Sequence, residues 1–100
     1  MPALSYHSNV HDSALALLRR KGFQVWKDGQ SQHYGAERDG WDFFAYDPVE
    51  LVGLVAMFEA SAPAAYCEYW WRDDSARGLE QTLPSEPERP YVSVTSRRDG

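Results

Sequence analysis

Residues 39–60, DGWDFFAYDPVELVGLVAMFEA, constrain this chain more than any other stretch, because a turn, a strand and a helix start follow one another without slack. Asp39-Gly40 is the kind of pair that a two-residue hairpin loop selects, since both central positions take positive φ. The next six residues, WDFFAY, have the aromatic content of a strand. Asp47 then caps a helix, Pro48 fits the first helical position where no amide donor is needed, and Glu50 stands three residues after the cap. Leu51, Leu54, Val55 and Phe58 form an i, i+3, i+4, i+7 stripe, while Val52, Ala56 and Met57 carry apolar character well beyond one face. Such a helix needs more than one neighbour. Gly53, Ala56 and Ala60 make a narrow strip of small residues, and we expect the first helix, rather than a second copy of the chain, to lie against it.

A two-residue loop also fixes the register. Arg38 should oppose Trp41, followed outward by Ala36 with Phe43, Gly35 with Phe44, Tyr34 with Ala45 and His33 with Tyr46. One face then carries Tyr34, Ala36, Trp41, Phe43 and Ala45 and reads as the core side. The other carries His33, Gly35, Glu37, Asp42, Phe44 and Tyr46, polar near the turn and aromatic farther away. Phe44 is expected to cover the bare Gly35.

Upstream, Ser8 or Asn9 can cap a helix whose apolar residues Val10, Ala14, Leu17 and Leu18 recur at helical spacing. Gly22 should end it, with Phe23 folding back onto Leu18 and with Arg19, Arg20 and Lys21 complementing the dipole of the last turn rather than forming a phosphate patch. Residues 23–27 read as a first strand with Phe23 and Val25 on one side. Asp28, Gly29, Gln30 and Ser31 supply turn chemistry before a second strand at 32–38. Three strands thus form a meander.

Downstream, residues 64–72, AAYCEYWWR, read as a short aromatic helix capped by Ser61 with Pro63 in its first turn. Residues 73–90 are proline-rich and poor in large apolar side chains, the composition of an extended, mobile arm. Residues 91–95, YVSVT, return to period-2 alternation and can add an edge strand to this protomer or another. The expected fold class is α+β, ordered helix, three-stranded antiparallel meander, helix, with a compact domain at 1–72 and an arm at 73–100. One hundred residues bury one core and not two. That core is expected to contain Leu17, Leu18, Phe23, Val25, Tyr34, Phe43, Leu51, Leu54, Val55 and Phe58.

Charge narrows the partners. The chain carries a net −5, and residues 28–68 hold eight carboxylates against Arg38 alone, so nucleic acid and anionic membranes should be repelled. Cys67 is the single cysteine, which excludes an intramolecular disulfide and suits a reducing compartment. The longest apolar run, around residues 51–58, is too short to span a bilayer, and the first residues lack the pattern of a secretory signal. A cytoplasmic location is expected.

No spacing in the chain is catalytic or metal-binding. His7 and His11 are four apart, but no Glu lies between them and no third ligand is specified, so surface histidines are expected and no metal. Asp73 and Asp74 are adjacent and so point apart, as solvated carboxylates do. The glycines are scattered, leaving no phosphate loop and no expected cofactor. Cys67 reads as a small buried hydrophobe. What remains is surplus aromatic surface. The sequence therefore reads as a non-enzymatic protein-binding or regulatory domain that meets a protein partner, most simply a second copy, through Trp26, Phe44, Tyr46, Trp70 and Trp71. An acidic mimic that occupies a basic partner through Glu37, Asp39 and Asp42 is the alternative. A small hydrolase-like enzyme using His33 or Cys67 is a third.

Overall fold

The structure, a computed structural model, describes residues 6–93. They divide into two compact units, one spanning His7–Trp71 and one taking in the described residues from Arg72 onward together with Tyr6.

The first unit has the α+β order read from the sequence: α1 (His11–Arg20), β1 (Gln24–Lys27), β2 (Tyr34–Arg38), β3 (Trp41–Ala45) and α2 (Pro48–Ser61). The sheet is an antiparallel meander in the order β1-β2-β3, with Arg38 opposite Trp41, Ala36 opposite Phe43, Gly35 opposite Phe44 and Tyr34 opposite Ala45. Asp39 and Gly40 both adopt positive φ, 53° and 86°, which matches the twist of the strands they join.

The first helix begins differently from the expectation. A single 3₁₀ turn, Ser8–Val10, leads into α1, and no side chain caps either start, so neither Ser8 nor Asn9 plays that part. The 3₁₀ turn settles its own first donor instead, Val10 N–H reaching the His7 carbonyl at 3.1 Å. The other end follows its sequence. Gly22, at φ 91°, donates to the Arg19 carbonyl and Phe23 N–H to the Leu18 carbonyl, the paired bonds of a Schellman ending. Arg38 seals the same corner by donating from Nη1 to the Lys21 carbonyl at 2.6 Å, with its guanidinium 4.5 Å from the centre of the Phe23 ring. Lys21 bridges to Glu59 at 3.0 Å and ties α1 to α2.

At the start of α2, Asp47 Oδ1 accepts from Glu50 N–H at 2.9 Å. Glu50 Oε1 reaches back to Tyr46 N–H at 2.9 Å, so two otherwise free donors are satisfied reciprocally. Both helices lie on one side of the sheet. The buried cluster is Leu18, Phe23, Ala36, Phe43, Leu51 and Val55, with Val25, Tyr34 and Phe58 partly buried around it. Leu17 is only half-buried and Leu54 is exposed, because the contact of α2 with the sheet is centred on the Leu51–Val55 row. Gly53, Ala56 and Ala60 are all exposed, and nothing lies within 4 Å of the position a Gly53 Cβ would take, so α1 does not use this strip.

The aromatic stretch is a turn and not a helix. Ala62, at φ 45°, ends α2 with its N–H on the Phe58 carbonyl, and no helix restarts at residues 64–72. Trp70 N–H instead closes onto the Cys67 carbonyl with Tyr69 at φ 60°, a left-handed conformation that costs an aromatic residue about 1 kcal/mol or more. The turn sends Trp70 onto the core, against Phe58 at 5.9 Å and Phe43 at 6.3 Å. Such aromatic contacts, each worth about 0.5–1.5 kcal/mol beyond area burial, offset the strain. Cys67 is exposed in this turn rather than buried.

The second unit contains two 3₁₀ turns, Asp74–Ala76 and Glu80–Thr82, where an extended arm was expected. Asp73 induces the first by accepting from Ser75 N–H at 3.0 Å and from Ser75 Oγ at 2.6 Å. Residues 83–93 have no regular secondary structure. Of the expected strand at 91–95, Val94 and Thr95 lie outside the described residues.

Candidate functional site, the outer face of the sheet

Period-2 geometry turns Trp26, Gly35 and Phe44 away from the helices, at one level across the three strands. Trp26 and Phe44 meet edge to face with centroids 5.8 Å apart, and the same arrangement joins His33 to Tyr46 at 4.5 Å. The rings support one another yet stay open to solvent, at 38% exposure for Trp26, 53% for Phe44 and 76% for Tyr46.

Gly35 is covered most closely by Trp26, against which Phe44 packs. A Cβ at Gly35 would stand 2.6 Å from both Cε2 and Cζ2 of the Trp26 indole. The indole can lie flat on the sheet only because position 35 has no side chain.

Toward the hairpin the face becomes acidic. Glu37 stands directly opposite Asp42. Glu37 accepts from Gln24 Nε2 at 2.7 Å and from Gly40 N–H at 2.8 Å, and these bonds, the Gln24 one foremost, hold its carboxyl below the ordinary value of 4.5. A depressed folded-state pKa adds stability that is present above the unfolded value and is lost as pH falls through the folded one. In urea titrations, the fall in midpoint below about pH 4.5 should therefore be shallower for Glu37→Gln than for the unaltered protein. Parallel curves would show that these bonds give no preference to the ionised form.

The five aromatic residues singled out from the sequence separate into two sets. Trp26, Phe44 and Tyr46 share the outer sheet face. Trp70 is half-buried, and Trp71 lies with Leu54 and Met57 at an apolar groove of about 280 Å³ beside α2. Sequence reasoning missed this groove; the breadth of apolar character on α2 was its signal. His33 packs on Tyr46 and Cys67 lies in the exposed turn. Among the described residues, no three His, Cys, Asp or Glu side chains gather as a metal-binding group, and no helix is long and apolar enough to cross a membrane.

Comparison with protein-family models, curated proteins and solved structures found no match to this chain.

Proposed function

We propose that the unit His7–Trp71 is a non-enzymatic, cytosolic protein-binding module that pairs with a second copy of itself through the outer sheet face. The observation that carries this reading is the aromatic group Trp26, Phe44 and Tyr46, mutually packed or ring-supported and uncovered by α1 or α2. Exposed aromatics held rigidly lose little side-chain entropy on contact, which is why such residues dominate interface energetics. A two-fold axis through the aromatic half would bury these rings on both sides while keeping the Glu37–Asp42 ends apart. The exposed free thiol of Cys67 supports a reducing compartment.

Light scattering across a concentration series tests the pairing. Mass should rise from one copy to two, and Phe44→Ser should shift the transition to about tenfold higher concentration, as expected for removal of one anchoring ring. A strict monomer at every concentration would remove self-association.

The opposed Glu37 and Asp42 favour a second reading, in which the same face takes a basic protein. Salt separates the two: an aromatic self-contact should persist at 1 M salt, whereas a carboxylate-led complex should dissociate.

A further inference from the structure

A pocket distinct from the outer aromatic group lies at the hairpin tip, where residues 39–43 face the segment after α2 and enclose about 380 Å³. Trp41, Tyr66 and Trp70 line it. Trp41 and Trp70 meet edge to face at 5.6 Å, and Tyr66 lies 6.4 Å from Trp41. The two indoles are fixed from behind by the core, Trp41 by Phe58 at 4.9 Å and Trp70 by Phe43 at 6.3 Å. Tyr66 is largely exposed and forms the outer wall.

Asp39 and Asp42 also border the pocket, but the Asp42 side chain turns to the outer face with Glu37, which leaves Asp39 at the loop as the pocket's acidic residue, and Asp39 is in no ion pair among the described residues. Arg38, the cation next to Asp39 in sequence, is engaged at the Lys21 carbonyl and over the Phe23 ring. Ring faces carry negative potential and attract a cation within about 6 Å, most strongly at Trp. The Asp39 carboxylate has the same preference, so rings and rim agree on the sign of the ligand. They also agree on its softness: Ca²⁺ and Mg²⁺ require near-complete shells of about six or more oxygens, which one carboxylate and three rings do not supply. A weakly hydrated organic cation uses both the charge and the apolar walls.

We propose that this pocket binds an alkylammonium group, supplied either by a lysine side chain of a partner protein, methylated or not, or by a small quaternary amine. The two indole walls are held in place by the core before the ligand arrives, so little ordering cost falls on them.

The test is an NMR titration that follows the indole N–H signals of Trp41 and Trp70, using choline chloride, its uncharged carbon isostere 3,3-dimethyl-1-butanol, and sodium chloride as an ionic-strength control. Choline should shift both signals saturably, with the isostere at least about tenfold weaker, the discrimination expected of a partly desolvated cation–π site. Asp39→Asn should weaken choline by about threefold, since one exposed charge pair of modest worth is lost, whereas Asp42→Asn on the outer face should change it much less. Asn adopts the left-handed conformation needed at position 39, so the hairpin is retained. Tyr66→Ala removes the exposed wall without touching the buried cluster and should weaken choline similarly. N-acetyl-lysine amide and its trimethyl form distinguish the source. Tighter binding of either than of choline supports a partner's side chain, and tighter binding of choline supports a free amine. Equal response to choline and its isostere would reduce the site to an apolar crevice and overturn the proposal, as would choline shifts no larger than those from sodium chloride. Phe44→Ser should leave the choline shifts unchanged, so this inference and the self-pairing stand or fall separately.

Discussion

Leu51→Ala should destabilise the His7–Trp71 unit by about 2–5 kcal/mol, the range for truncating a fully buried leucine. Leu51 is completely buried in the cluster that joins both helices to the sheet. Against a typical total of about 5–15 kcal/mol, such a loss leaves a unit of this size close to its unfolding threshold. The urea midpoint should drop with the slope unchanged. Leu54→Ala, three residues on but 36% exposed, should cost much less. Equal costs at the two positions would mean that the core is not centred on the Leu51–Val55 row.

Gly35→Ala should be the most damaging small substitution on the sheet, at about 1–3 kcal/mol. The new methyl would occupy space 2.6 Å from two indole atoms of Trp26, and the ring cannot give way by a few tenths of an ångström. It must swing off the sheet and lose its edge-to-face contact with Phe44 at 5.8 Å. The emission of Trp26, isolated by Trp→Phe substitution at the other three tryptophans, should move to longer wavelength as the ring enters water. Gly53→Ala is the matched control. Its Cβ would meet nothing within 4 Å, and in a helix interior alanine should stabilise by about 0.5–1 kcal/mol. If Gly35→Ala is neutral and the emission does not move, the indole does not rest on position 35. The same variant dismantles the aromatic face, so it should also weaken self-pairing in light scattering.

Both experiments probe features of unequal legibility. The hairpin register was readable from two letters, because Asp-Gly at a loop that needs two positive φ values leaves few other solutions, and every pairing in the β2–β3 ladder follows from it. The cap of α2 was readable for a similar reason, since Asp47, Pro48 and Glu50 each do a job that few residues do. The cover over Gly35 was not. Trp26 and Phe44 flank it from opposite strands, and the choice depends on rotamers that no pattern encodes. Residues 64–72 failed more deeply. Their alternation and alanine content allowed strand or helix, while the deciding element is a left-handed Tyr69, a conformation that tyrosine does not advertise. That turn divided the expected contact residues, placing Trp70 against the core. The outer aromatic face itself was legible, because period-2 geometry assigned Phe44 and Tyr46 to the side opposite Phe43 before any packing was known.

Arg38 gives the hairpin tip an unexpected status. Tips of two-residue loops usually fray first, opening independently of the rest of a sheet. Here the last residue of β2 holds the Lys21 carbonyl at the end of α1 at 2.6 Å and lies over Phe23, the first residue after the Gly22 turn. Peeling the tip away exposes a helix terminus and uncovers a core ring at the same moment. The Asp39-Gly40 loop and the last turn of α1, though about twenty residues apart in the chain, are in effect one latch, and whatever binds against the hairpin is felt directly at the end of the first helix.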